Sequence, residues 1–226
     1  MSKPLFDQEE LIAKFANASA KGSAQLRKAA SEATLKALQG RELTLKNIQG
    51  ALKSVSEAAS QGAAKNMSAG VDVPALLAKA AAGMDDALLK AVEANRAALN
   101  QFVSQGADLR EKHLKKAVDD LEKFEDAFFG ALKKTAAGAS APLAGAWNQV
   151  LEKMQSAGTM SGAQANATAE QMLEQAQHAM RASRAASLKA AQALAESYAA
   201  MVSGVLVGMS EALQQSKTDG STTKRK

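Results

Sequence analysis

The sequence predicts an all-α protein, an elongated antiparallel bundle of three to four long helices with one short helix and a disordered basic C-terminal tail. Three observations carry that expectation. Ala, Leu, Lys, Glu, Gln and Met, the strong helix formers, dominate the 226 residues, and alanine alone accounts for 52 of them. Prolines number three and aromatics make up 4%. No stretch alternates β-branched and polar residues with the period of two that a half-buried strand requires.

The elements follow in order. "FDQEELIAKF" opens a helix with Asp7 at the N-cap and Glu9 and Glu10 in the first turn, where the helix dipole favours acids. Its apolar stripe runs Leu11, Phe15, Ala18, Gly22, Leu26, Ala29, Ala33, Ala37, and Gly40 is the expected break. Leu45, Ile48, Leu52, Val55, Ala59 and Gly62 then alternate three and four apart, the spacing of a coiled-coil seam. "NMSAGVDVP" (66–74) is a turn, with Gly70 near a helix end and Pro74 opening the next helix.

From Pro74 to about Ala137 one helical pattern continues. Leu77, Met84, Leu88, Ala91, Asn95, Leu99, Phe102, Leu109, Ala117, Leu121, Phe124 and Phe128 mark its inner face. Unbroken, it would be roughly 95 Å long, with Gly83 and Gly106 as the points where it can bend. "AAGASAPLAG" (136–145) is a second turn, leading to a short helix that carries the single tryptophan, Trp147. "SAGTMSG" (156–162) is a third, and the last helix runs from about Gln164 to Gln215. The expected organisation is a single helical-bundle domain over residues 1–216 and a flexible tail at 217–226.

Composition excludes several classes of chemistry. There is no cysteine, hence no disulfide, thiolate metal site or thiol nucleophile. The opening "MSKPLFDQEELIAKF" lacks a continuous apolar run, so no signal peptide is expected. The net charge is +5, spread thinly along the chain except for the last three residues. A nucleic-acid-binding domain concentrates its charge on one face, and Lys224, Arg225 and Lys226 are too short a patch for specific recognition. The expected location is the cytoplasm.

Motifs that carry catalysis are absent: no phosphate-binding loop, dinucleotide fingerprint, nucleophile elbow or zinc-binding helix pair. His178 follows Glu174 and Glu170 on one helix face, and His113 sits in "EKHLKK" among cations. A di-iron bundle needs two Glu-x-x-His motifs with two further glutamates, and that spacing does not occur. Both histidines are therefore expected at the surface or its boundary. The carboxylates of "DD" at 85–86 and 119–120, and the charges of "DLREKHLKKAVDDLEKFEDAFF" (108–129), read as a solvated face laced with lysine. No catalytic residue, cofactor or metal is expected, and an enzyme is not. Asn95 falls on the inner stripe, either fixing helix register or edging the stripe beside a water. Glycines 22, 62, 83 and 106 fall on or near inner faces, where they let helices come close.

The segment "YAAMVSGVLVGMSEAL" (198–213) is uncharged between Glu196 and Glu211. Fourteen uncharged residues span only about 21 Å as a helix, short of the roughly 30 Å core of a bilayer. Leu194, Tyr198, Met201, Val202, Val205, Leu206, Met209 and Leu213 form one face at 100° per residue, with the glutamates opposite. The expectation is a core-facing helix with no transmembrane role. Gly204 and Gly208 form a smooth flank, and Val207 is an aliphatic residue on the polar side. Tyr198, Met201, Gly204, Val205, Val207, Gly208 and Met209 are the candidate interaction surface.

"LKALQGRELTLKNIQGALKSV" (35–55) and "MVSGVLVGMSEAL" (201–213) resemble blocks of an uncharacterised family of bacterial all-helical proteins. More broadly, the long Ala-rich amphipathic helices, the missing cysteine and the tail "KTDGSTTKRK" are similar to those of phasins, which coat polyhydroxyalkanoate granules. That resemblance implies a granule-surface protein, oligomeric in solution and without catalysis. The expected function is accordingly a coat on an apolar granule or lipid surface. A coiled-coil oligomeric scaffold that binds itself or another helical protein is the alternative, and an α-helical pore former a third.

Overall fold

The computed structural model describes residues 7–39, 43–66, 72–105, 112–182 and 201–207. Every regular element among them is helical: α1 (Gln8–Lys21), α2 (Ser23–Leu38), α3 (Leu45–Ala64), α4 (Val73–Ser104), α5 (Lys112–Glu122), α6 (Phe124–Gly138), α7 (Ala141–Ala157) and α8 (Met160–Ala182). Residues 201–207 are helical as well. The all-α class is as the sequence predicts. The tail at 217–226 lies outside the described residues.

Local chemistry sets three of the helix starts. The Asp7 carboxylate accepts the backbone N–H groups of Glu9 and Glu10 at 3.1 and 3.3 Å. Thr44 caps α3 through the N–H of Asn47 at 3.3 Å. Asp72 caps α4 through Ala75 at 3.0 Å, with Pro74 in the first turn where its missing N–H costs nothing. The seam of α3 is buried as its spacing requires, with Ile48, Leu52 and Val55 fully enclosed.

Two long runs are broken where periodicity shows no break. The stripe from Leu11 to Ala37 is split at Gly22, which takes φ 112° and ψ 167°, a conformation open to glycine alone without strain. Gly22 is thus an exposed hinge and not part of an inner face. The reversal lays α1 back along α2, so that Lys14 Nζ meets Glu32 Oε2 at 3.0 Å. Likewise the single helix expected from Pro74 to Ala137 is three: α4 ends at Ser104, and Lys123 leaves helical geometry between α5 and α6. A straight rod of that length would leave the apolar residues of its second half without a partner. Folded back, α6 packs on α3 and buries Phe124 and Phe128. The bundle therefore has more and shorter helices than the sequence predicts.

α4 lies at the centre, in contact with α2, α3, α7 and α8. α1 packs on α2 and α3, α6 on α3 and α7, and α5 chiefly on α8. Not all neighbours are antiparallel. Leu45 meets Asp120 and Ser56 meets Thr135, so α3 and the α5–α6 stretch advance in the same direction, α4 providing the long return between them. The buried residues form one continuous core that includes Val202 and Leu206. Phe15, Phe102, Phe124, Phe128 and Trp147 are its largest fully enclosed side chains, yet alanine is the commonest buried residue among those described.

Short side chains bring the backbones together. A Cβ added to Gly83 would lie 2.1 Å from the Arg27 carbonyl oxygen, and one added to Gly62 would lie 2.6 Å from the Phe15 Cβ. Gly50, in contrast, faces open space. Gly83→Ala is expected to force α2 and α4 apart and to destabilise the protein by about 2–3 kcal/mol. Gly50→Ala should be neutral or stabilise by up to about 1 kcal/mol, because it removes chain entropy from the unfolded state. Urea titrations of the two variants check the contrast, and equal effects would contradict the close approach at Gly83.

Candidate functional site

The residues predicted as an interaction surface divide. Val202 and Leu206 are buried in the core, with Met201 and Val205 packed against it. Gly204 is exposed with nothing within 4 Å of where a Cβ would stand, and Val207 is half-buried. Tyr198, Gly208 and Met209 lie outside the described residues, as do Gly106 and the side chains of His113 and His178. Among the described residues no helix is long and apolar enough to cross a membrane, and no group of three His, Cys, Asp or Glu is placed to hold a metal ion.

The solvated-face reading of the carboxylates needs correction at three positions. Asp85, Asp120 and Glu125 do not simply face water; each holds a helix N-terminus that belongs to another part of the chain. The first N–H groups of any helix have no partner within it, and a negative charge there meets the positive end of the dipole. Asp120, 8% exposed, accepts the first N–H of α3, from Leu45, at 3.4 Å, and its own Lys116 at 2.7 Å. The start of α8 is more completely held. Glu125 Oε1 accepts the Thr159 N–H at 2.8 Å and the Thr159 hydroxyl at 3.0 Å. Asp85 accepts Met160 N–H and Ser161 N–H, each at 3.0 Å, and the Ser161 hydroxyl at 2.5 Å. The Thr159 hydroxyl oxygen in turn accepts the Gly162 N–H at 3.0 Å.

All four donors from Thr159 to Gly162 are thereby satisfied by two carboxylates and one hydroxyl. The fit is tight: a Cβ on Gly162 would fall 2.6 Å from Thr159 Oγ1 and 2.8 Å from Glu125 Cδ. Gly158, with φ 73°, makes the turn that delivers this N-terminus from α7. The outer carboxylate of the first pair behaves as expected. Asp86 takes Arg27 in a two-point ion pair at 2.6 and 2.7 Å, and its hydrogen bond and charge raise the guanidinium further above its ordinary value. With side chains 46% and 28% exposed, the pair is screened by solvent and contributes about 1 kcal/mol at most.

A second polar feature crosses the core. The Trp147 indole N–H donates to Ser60 Oγ at 2.8 Å, and Ser60 donates to the Ser56 carbonyl at 2.7 Å. Ser56 Oγ lies 2.6 Å from Thr135 Oγ1, which reaches the Ala131 carbonyl at 3.2 Å. Asn95 is also inside, 1% exposed, on the inner face of α4. None of these groups sits in a cleft with a nucleophile or an open face, so the arrangement fastens helices and has no evident reactive atom. The open groove between α2 and α4, about 480 Å³, is lined by Arg27, Lys28 and Lys90 facing Glu32, Asp86 and Glu93. With both signs interleaved it favours neither an anion nor a cation.

Removing one partner of a buried hydrogen bond costs about 1–3 kcal/mol. Ser60→Ala is expected to lose about that much and to change the Trp147 emission, since the indole N–H keeps no acceptor. Asp85→Asn should lose a similar amount, because one of its two accepting oxygens becomes an NH₂ facing a backbone N–H. Denaturant melts followed by tryptophan fluorescence check both. An unshifted midpoint in Asp85→Asn would mean that the contacts at the start of α8 carry little stability.

No curated protein and no solved structure matches the chain. Residues 1–215, nearly its whole length, match a family of unknown function (DUF6781). With the match spanning every described helix, the chain belongs to that family.

Proposed function

We propose that this protein is a non-enzymatic helical coat, which lies on an apolar surface, such as that of a polyester granule or a lipid body, by turning outward helix faces that pack on one another in the free chain. The alanine content of the buried faces supports the reading most directly. An alanine contact buries little area, and apolar burial is worth roughly 25 cal/mol per Å². Parting two such helices therefore gives up little per residue, and an apolar surface returns a comparable area to an amphipathic helix lying on it. The similarity to phasins in helix length, alanine content and lack of cysteine points the same way.

The scaffold alternative draws on the seam from Leu45 to Gly62. In the folded chain that seam is occupied, with Ile48, Leu52 and Val55 fully enclosed and α1 and α6 packed on α3. A partner helix would have to use another face, so the coat is the better-supported reading.

Purified protein mixed with polyhydroxyalkanoate particles or triacylglycerol droplets, then separated by centrifugation, tests the proposal. The protein is expected to travel with the particles and to stay on them in 1 M salt, where exposed charge pairs are screened beyond roughly 3 Å. Protein that remains in the aqueous fraction, or that leaves the particles when salt is added, would overturn it.

A further inference from the structure

α8 is joined to the bundle in an unusual way. Among its described side chains, residues 160–175, the buried ones are small or polar, Ser161, Ala165, Thr168 and Ala169, with Met172 the largest. Its two largest exposed apolar side chains, Met160 and Leu173, face solvent and add nothing to the grip. Its start is held by four capped donors at residues 159–162, three met by Asp85 from α4 and Glu125 from α6 and the fourth by the Thr159 hydroxyl. Gly158 gives a hinge directly before it. Beyond α8, Val202 and Leu206 tether the chain to the core again.

α8 packs chiefly on α4 and, beside it, covers α5. α5 is the most sharply two-sided helix among those described. Ala117, Val118 and Leu121 are buried, while Lys115, Lys116 and Glu122 are exposed. An amphipathic helix with lysines flanking its apolar face is the kind that settles in the plane of an interface. Among the described helices α5 packs mainly on α8, so displacing α8 removes its main helical cover.

We propose that α8 is a releasable strap: it swings about Gly158 when the Asp85 and Glu125 carboxylates let go of its N-terminus, and its departure presents the apolar face of α5 to a hydrocarbon-like surface. The step deepens the coat reading and rests on it for the identity of the surface. The strap itself is a property of the free protein. Local opening of a single segment is a normal sub-global event, and here the latch sets how often it happens.

Hydrogen exchange of the full chain, read by mass spectrometry in dilute urea, tests the strap without any surface present. Peptides from α8 and α5 are expected to exchange well before those of α3 and α4. Asp85→Asn should speed the α8 and α5 peptides about tenfold or more, with the α3 peptides still exchanging later than these and the Trp147 emission of the folded protein as in the parent. Exchange of α8 together with α3 and α4, in a single cooperative event, would overturn the proposal even if particles are bound. A second measurement uses the absence of native cysteine. Asp85→Cys with Ser161→Cys places two thiols where the present side chains touch. The oxidised form should bind apolar particles at least tenfold less than the same variant after reduction. Equal binding by the two forms would sink the strap. Failure of every form to bind would instead remove the coat reading, and the exchange experiment would still decide the strap.

Discussion

Alanine governs this structure by forcing helices close. A helix face of leucines stands off its neighbour and gains stability from area, whereas a face of alanines gains it only when the backbones themselves approach. Gly83 stands where even one methyl would strike the Arg27 carbonyl, and Gly62 where it would strike Phe15. The few large side chains, Trp147 and Phe128 among them, are fully enclosed. With little apolar area at each contact, the polar connections between helices carry more of the burden of holding them.

Those connections share one design. A helix N-terminus that arrives inside the bundle brings unpartnered N–H groups, each costly to bury. Here they are met by carboxylates projecting from helices far away in sequence: Asp120 for α3, Asp85 and Glu125 for α8. Each such contact combines a local need, the open donors, with a tertiary bond across 34 to 76 residues. Asp85 takes donors on both of its oxygens and Glu125 and Asp120 on one each, so these carboxylates act as fastenings.

How much of this was legible depends on the range of the signal. Asp7, the Asp72–Pro74 start and the turns at Ala139 and Gly158 are set by neighbours within four residues, and the sequence shows them. The seam at 45–62 is equally plain because its burial follows from spacing alone. The breaks at Gly22 and after Ser104 are hidden, since an apolar stripe that resumes in register beyond a turn looks like one helix. Asp85 and Glu125 are hidden for a different reason. On a helical wheel they sit beside lysines like any solvated acid, and only the arrival of residues 159–161 next to them makes them interior. The core-facing residues of 201–207 were readable from periodicity, whereas what a Gly204 flank would touch was not, because a stripe of small residues says how near a partner can come and nothing about which partner comes.

The chain of hydrogen bonds from Trp147 through Ser60 and Ser56 to Thr135 has a consequence of its own. Alanine surfaces are smooth, and two smooth helices can slide past each other by one turn, about 5.4 Å, with little change in apolar contact. The indole and hydroxyl groups act as teeth on otherwise featureless rods. A slip of one turn would leave the indole N–H without its acceptor and part the Ser56–Thr135 hydroxyl pair, so α3, α6 and α7 favour one setting along their common axis. In a protein built from so repetitive an alphabet, polar side chains of this kind help select one stack from a family of near-equal ones.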